Sequence, residues 1–187
     1  MSEMDLRTWL VADLANIEQR LESALFEPVP QQRWVEHADG GGSSSAFLLW
    51  HLLRHHDIAV NDVLRGRDSV LSGFEVGVGG DVGLGETEDP RVAEGADLDE
   101  LARYARELFA DSRGWLESAD LVDLHEPPDA LGGLARAGVG EDEYPWLYRM
   151  WSDKPRSFFL QWEAIGHVVN HIGELASIKN RLGYGRF

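Results

Sequence analysis

Residues 167–174 read His-Val-Val-Asn-His-Ile-Gly-Glu and residues 50–57 read Trp-His-Leu-Leu-Arg-His-His-Asp, so His51 with His55 and His167 with His171 stand as two pairs four residues apart. With 7 histidines in 187 residues, random placement would give only about 0.25 such pairs. On a helix each pair projects from one face, one turn apart. That is how a helical protein presents imidazoles to a metal ion.

Both segments read as helices in apolar surroundings. Between Ser44 and Leu64, Phe47, Leu48 and Ile58 share a face with His51 and His55, while Leu49, Leu53, Val60 and Leu64 line the other side. Between Pro155 and Leu182, the residues Leu160, His167, His171, Glu174 and Ile178 form one stripe, opposite Phe158, Trp162, Ile165, Val169, Ile172 and Ala176. A helix that is apolar on two sides has neighbours on both, so these histidines face protein. A lone histidine there is ordinarily a hydrogen-bonded core residue. Two within one turn need partners for four ring nitrogens, and a metal ion satisfies two of them directly. The Arg54-His55-His56-Asp57 run also reads as a helix flank in water.

Two further amphipathic segments complete a set of four. One opens at Ser2 with Asp5 three residues on, carries Leu6, Leu10, Leu14, Ile17, Leu21 and Leu25 on one side, and stops before Pro28. The other begins at Asp97, with Glu100 completing a capping box, and runs through Leu101, Ala105, Leu108, Ser112, Trp115, Ala119 and Val122 until Pro127-Pro128. The 44–64 helix takes one of its leading serines as N-cap and fades at Arg65-Gly66; the last has Pro155 in its first turn and Gly183 as its C′ residue. Helices of about 20 to 28 residues, ~30 to 40 Å long, predict one all-α domain over residues 1–187, a four-helix bundle with long connections. Two connections hold glycine-rich stretches, Gly73–Gly85 and Gly132–Gly140, without the Gly-Lys-Ser/Thr of a phosphate loop, and read as solvated loops over one end of the bundle. Trp146, Tyr148, Met150 and Trp151 read as a cluster that packs a loop onto the bundle, with a wall of a substrate cleft as the alternative.

Composition narrows the function classes. Seventeen basic residues against 33 acidic ones give a net charge of −16, which opposes binding to nucleic acid or to anionic membranes. With no cysteine, disulfides, thiolate metal sites and cysteine nucleophiles are excluded. No apolar run reaches the roughly 18 to 20 residues of a membrane span, and the N-terminus lacks a basic, apolar leader pattern, so a soluble cytoplasmic protein is expected. Lys154 and Lys179 are the only lysines; the preference for arginine, with abundant Ala, Gly, Val and Leu, is the codon signature of a high-GC bacterial genome. The two apolar faces of the last helix suggest a homodimer.

A zinc-protease helix needs Glu directly after its first histidine, where this chain has Val168, and di-iron bundles need Glu-x-x-His on two helices, which neither pair supplies. What remains is a mononuclear site of His167, His171 and one histidine of another helix. Neutral imidazoles of that kind suit Zn²⁺, or alternatively Ni²⁺ or Fe²⁺, and leave positions open for water or substrate.

Trp50-His51 opening a Leu-rich helix with Arg54 and Asp57 after it, the run His167 to Glu174, and the closing Arg181-Leu182-Gly183 together resemble the DinB/YfiT-like superfamily. The resemblance implies a four-helix bundle holding one divalent ion, zinc foremost, with His51, His167 and His171 as ligands. It also implies an S-transferase that joins a low-molecular-weight thiol, mycothiol or bacillithiol, to an electrophilic small molecule in detoxification or stress response; mycothiol-dependent maleylpyruvate isomerase shares the architecture. A high-GC source favours mycothiol. Spacing alone leaves His55 as an alternative ligand to His51. Glu174, one turn beyond His171, is expected either to orient a ligand imidazole or contact the open coordination position, or else to be a partly exposed helix residue without a role in the site. Arg54 and Asp57 are expected to contact a substrate carboxylate or a ligand, or else to form a solvated ion pair. His37, His56 and His125 receive no role. Two other readings stand beside the transferase: a metal-dependent hydrolase with Glu174 as base, and a non-catalytic metal-stabilised scaffold.

Overall fold

A computed structural model describes residues 5–78, 82–85 and 90–185, so the expected opening at Ser2, with Gly79, Gly80 and Glu86, lies outside the described residues. The first helix begins on Asp5, whose carboxylate accepts from the Thr8 amide at 2.8 Å; Asp5 is thus itself the N-cap. From there α1 (Leu6–Leu21) buries Leu10, Leu14, Ile17 and Leu21 and runs on into a π-helical turn (Glu22–Phe26). Ser44 caps α2 (Ser45–Asp57) by accepting from the Phe47 amide at 3.1 Å, and α2 continues as a π-helical segment (Ile58–Leu64).

A short α3 (Pro90–Gly95) precedes α4 (Leu98–Ser118), which starts on Asp97. The Asp97 carboxylate accepts from the Asp99 and Glu100 amides, but Glu100 does not close the expected box, because its carboxylate pairs with Arg103 one turn on. The helix ends at Ser118, leaving Val122 outside it and exposed. Two more short helices follow, α5 (Ala130–Arg136) and α6 (Pro145–Trp151). The last rod is α7 (Arg156–Phe158), a π-helical segment (Phe159–Gly166) and α8 (His167–Arg181) without a break, with Pro155 as N-cap rather than in the first turn. Gly183 at φ +89° ends it: its amide reaches the Asn180 carbonyl and the Tyr184 amide reaches that of Lys179, the Schellman arrangement expected of a C′ glycine.

The bundle consists of α1, α2, α4 and α8: α1 packs on α4 and α8, and α2 packs on the same two. No strand occurs among the described residues, and no helix is long and apolar enough to cross a membrane. Every residue from Ser44 to Val63 is buried. The Arg54 to Asp57 run is therefore not a flank in water, because a second layer of chain covers the side of α2 that the bundle leaves open.

That layer is built from the stretches expected to be solvated loops. Val76, Val78 and Leu84 of the first are buried, and Gly83, at φ +72°, sits so close that a Cβ would lie 2.6 Å from the Trp50 indole nitrogen. The second folds into α5, where a Cβ on Gly133 would lie 2.6 Å from Val63 Cγ2 and 3.0 Å from the Asp62 carbonyl oxygen. Leu134, Leu147, Trp151 and Phe159 then form a smaller core with Ile58, Ala59 and Val63. The glycines here serve close packing.

Buried polar groups of α2 find partners both in this layer and on the neighbouring bundle helices. Asp57 accepts from the Asn61 amide group, the Tyr104 hydroxyl at 2.6 Å, and the backbone amides of Val70 and Leu71, which pins the turn at Val70–Gly73. Arg54 donates to the Val82 carbonyl at 3.2 Å and lies 3.7 Å from Asp57. Neither faces a cleft or solvent, so the expected substrate contact and the expected solvated ion pair both give way to a structural role. His56, to which the sequence assigned nothing, is wholly buried: its Nδ1–H donates to the Ala164 carbonyl and its Nε2 accepts from Ser112 Oγ at 2.9 Å.

Gly133→Ala is expected to destabilise by about 1–3 kcal/mol through overpacking against Val63. Gly114→Ala, exposed toward the C-terminal end of α4 with open space around it, is expected to stabilise by about 0.5–1 kcal/mol. Opposite shifts in thermal midpoint would be read by calorimetry.

Burial lowers the His56 pKa to about 4. The unfolded chain therefore binds the extra proton first as pH falls below about 6.5, and stability drops between there and pH 4. In metal-free protein, denaturant titrations across that window should give a shallower dependence for His56→Gln, by up to about 1.4 kcal/mol per pH unit.

Candidate metal centre

The face that α2 turns toward α8 carries His51 and His55 one turn apart, and α8 opens with His167 and His171 one turn apart. The four rings meet between the helices: His51 lies 5.1 Å from His167 and 4.8 Å from His171 between centroids, and His55 lies 4.3 Å from His167. Two groups of donor atoms result, each within 4.8 Å of one another: His51, His167 and His171; and His55, Glu163 and His167. Either group could hold a metal ion. The three-histidine group contains His51, the alternative that spacing left open, while His55 falls in the other.

Hydrogen bonds fix which nitrogens are free to ligate. His51 Nδ1 lies 2.8 Å from the Gly83 carbonyl, and because a carbonyl only accepts, that nitrogen carries the proton and Nε2 keeps its lone pair. Glu174 Oε1 stands 3.4 Å from His171 Nδ1 and favours the same tautomer there. The Nε2 atoms of His167 and His171 approach to 3.1 Å. Two nitrogens on one Zn²⁺ at about 2.0–2.1 Å would be roughly 2.9–3.4 Å apart for right-angle to tetrahedral geometry, so the observed spacing fits a shared ion.

Charge states agree with that fit. Burial, and then the neighbouring His55 and His171, lower the His51 pKa to about 3. Burial, with His55, His171 and His51 behind it, pushes His167 far below the ordinary imidazole range. Neutral rings with available lone pairs at pH 7 are what a divalent ion binds.

A cleft of about 300 Å³ reaches this group, lined by Ser43, Phe47, Leu48, His51, His171 and Glu174. Glu174 is therefore beside a candidate ligand and at the cleft, with its side chain more than half exposed. On the opposite side, Glu163 is wholly buried: Oε2 accepts from His55 Nδ1 at 3.0 Å and Oε1 from the Trp151 indole at 2.7 Å. Trp151 thus packs α6 inward onto the bundle and reaches the histidine cluster, and it does not line the cleft. His55 Nε2 and His167 Nδ1 are buried without a hydrogen-bond partner among the described residues, a cost of about 1–3 kcal/mol each.

Sequence reasoning missed Glu163, the bond Trp151 makes to it, and the Gly83 carbonyl. The spacing Glu163-x₃-His167-x₃-His171 was the available signal for the first; the other two act through tertiary contacts that no local pattern encodes. His37, by contrast, contacts the Gly42 carbonyl, and His125 is exposed beside Glu126, both apart from the cluster.

Neither a curated protein nor a solved structure matches the chain. The family model of the DinB superfamily matches residues 14–175, a span that runs from α1 into α8 and contains His51, His55, Glu163, His167, His171 and Glu174. The chain belongs to the DinB superfamily.

Proposed function

We propose that this protein is a divalent-metal-dependent transferase that joins a low-molecular-weight thiol of the mycothiol type to an electrophilic small molecule, with His51, His167 and His171 holding the metal. The observation that carries the reading is the convergence of three imidazole donors within 4.8 Å of one another, two of which, His51 and His171, line a cleft. Zinc suits three nitrogen donors with a position left open, and nickel or iron would accept the same set. Membership of the superfamily supports it.

A divalent ion held there would supply Lewis acidity, lowering the pKa of a thiol presented to it so that sulfur is nucleophilic at neutral pH. The chain's own residues do the rest. The Gly83 carbonyl keeps His51 in the tautomer that ligates through Nε2, and the Glu174 carboxylate, 3.4 Å from His171 Nδ1, favours the same tautomer there. Phe47 and Leu48 give the cleft an apolar wall against which an electrophile can be held with water displaced. Sulfur forms the new bond to the electrophilic carbon, the leaving group departs with the old bonding pair, and the thiol proton passes to solvent.

Plasma mass spectrometry on protein prepared without chelator or nickel resin tests the site. His51→Ala and His171→Ala should each lower bound metal by about one ion per chain relative to wild type. Equal metal in all three proteins would overturn the assignment. Glu174→Gln should weaken metal affinity or thiol turnover by about tenfold; unchanged values for both would remove Glu174 from the site. Screening thiols against electrophiles with loaded protein tests the chemistry: turnover should require thiol, and turnover without it would replace transfer by hydrolysis.

A further inference from the structure

The side of the cluster away from the cleft has features that three histidines on one ion do not explain. Glu163 is a wholly buried carboxylate whose ion-pair partner among the described residues is His55, itself only 2% exposed. A carboxylate so placed calls for a compensating positive charge. His55 and His167 make the closest ring approach in the cluster, 4.3 Å between centroids, yet His55 Nε2 has no hydrogen-bond partner among the described residues. The Trp151 indole holds Oε1 of Glu163 in place and leaves Oε2 turned toward His55.

We propose that His55, Glu163 and His167 form a second divalent-metal position, next to the three-histidine position and sharing the His167 ring with it. Their donor atoms lie within 4.8 Å of one another. Two imidazoles and one carboxylate are a donor set that first-row divalent ions accept. His167 has a nitrogen for each ion: Nε2 stands 3.1 Å from His171 Nε2, and Nδ1 is buried and unpartnered among the described residues. With both nitrogens ligating, the ring carries no N–H, and its proton passes to solvent as the second ion binds. Trp151 acts as a positioning residue by fixing the carboxylate. The inference rests on the preceding reading only for the sharing of His167.

Stripped protein titrated with Zn²⁺ alone tests it, with bound metal counted by mass spectrometry and folding checked by circular dichroism. Wild type should saturate at about two ions per chain, and Glu163→Gln and His171→Ala at about one each. In the combined variant almost none should remain. Wild type saturating at one ion that Glu163→Gln binds with unchanged affinity would overturn the proposal and leave the three-histidine reading standing. Loss of the only ion in Glu163→Gln, with retention in His51→Ala, would do the reverse. Copper resonance is the second readout: through a shared ring, a second equivalent of Cu²⁺ should diminish the integrated signal of the first. A signal that doubles would overturn the sharing.

Discussion

Burying α2 on all sides is the constraint on which the rest of the structure depends. Its core-facing leucines present no difficulty, but the same helix carries His51, Arg54, His55, His56, Asp57, Asn61 and Asp62 into the interior. Each must find a partner there or be left with an uncompensated polar group. The partners arrive from distant chain: Tyr104 from α4, the amides of Val70 and Leu71, the carbonyls of Val82 and Gly83, and Ser112, Glu163 and Ala164. The bundle helices supply Tyr104, Ser112, Glu163 and Ala164, and the rest come from chain outside the bundle. The second layer of short helices and packed loops exists on the side where α2 would otherwise meet water.

This explains which features were legible in the sequence. The four long helices follow from apolar periodicity, and three of their ends from Ser44, Asp97 and Gly183, residues whose side chains or φ angles act locally, whereas the first helix starts on Asp5 rather than Ser2. The histidine pairs follow from spacing alone. Gly83 and Gly133 look like loop residues in sequence because glycine serves mobility and close approach equally, and only the identity of the neighbour, Trp50 or Val63, separates the two. Glu163 was hidden for a different reason. It lies in the π-helical segment that ends at Gly166, where a wider turn shifts the face assigned by a 3.6-residue period, and its partner Trp151 sits on α6.

Electrostatics within the cluster run opposite to those of the surface. The chain as a whole carries a charge of −16, whereas burial beside neighbouring imidazoles lowers the pKa of His51 and of His167 and keeps both rings neutral. A surplus of surface acid raises the local concentration of cations, and the interior offers lone pairs not already taken by protons. Outer charge and inner neutrality therefore favour the same class of ligand, at different distances.

The placement of His51 on α2 and His167 on α8 has a consequence beyond chemistry. An ion held between them closes a loop of more than a hundred residues in the unfolded chain. By analogy with a covalent cross-link of that span, this restricts the disordered state by roughly 4–5 kcal/mol. In a cysteine-free chain the metal is then the only tie of that kind. Supply of the ion would set the lifetime of the protein against proteolysis as well as its activity, because chains without it would open more often and be degraded first.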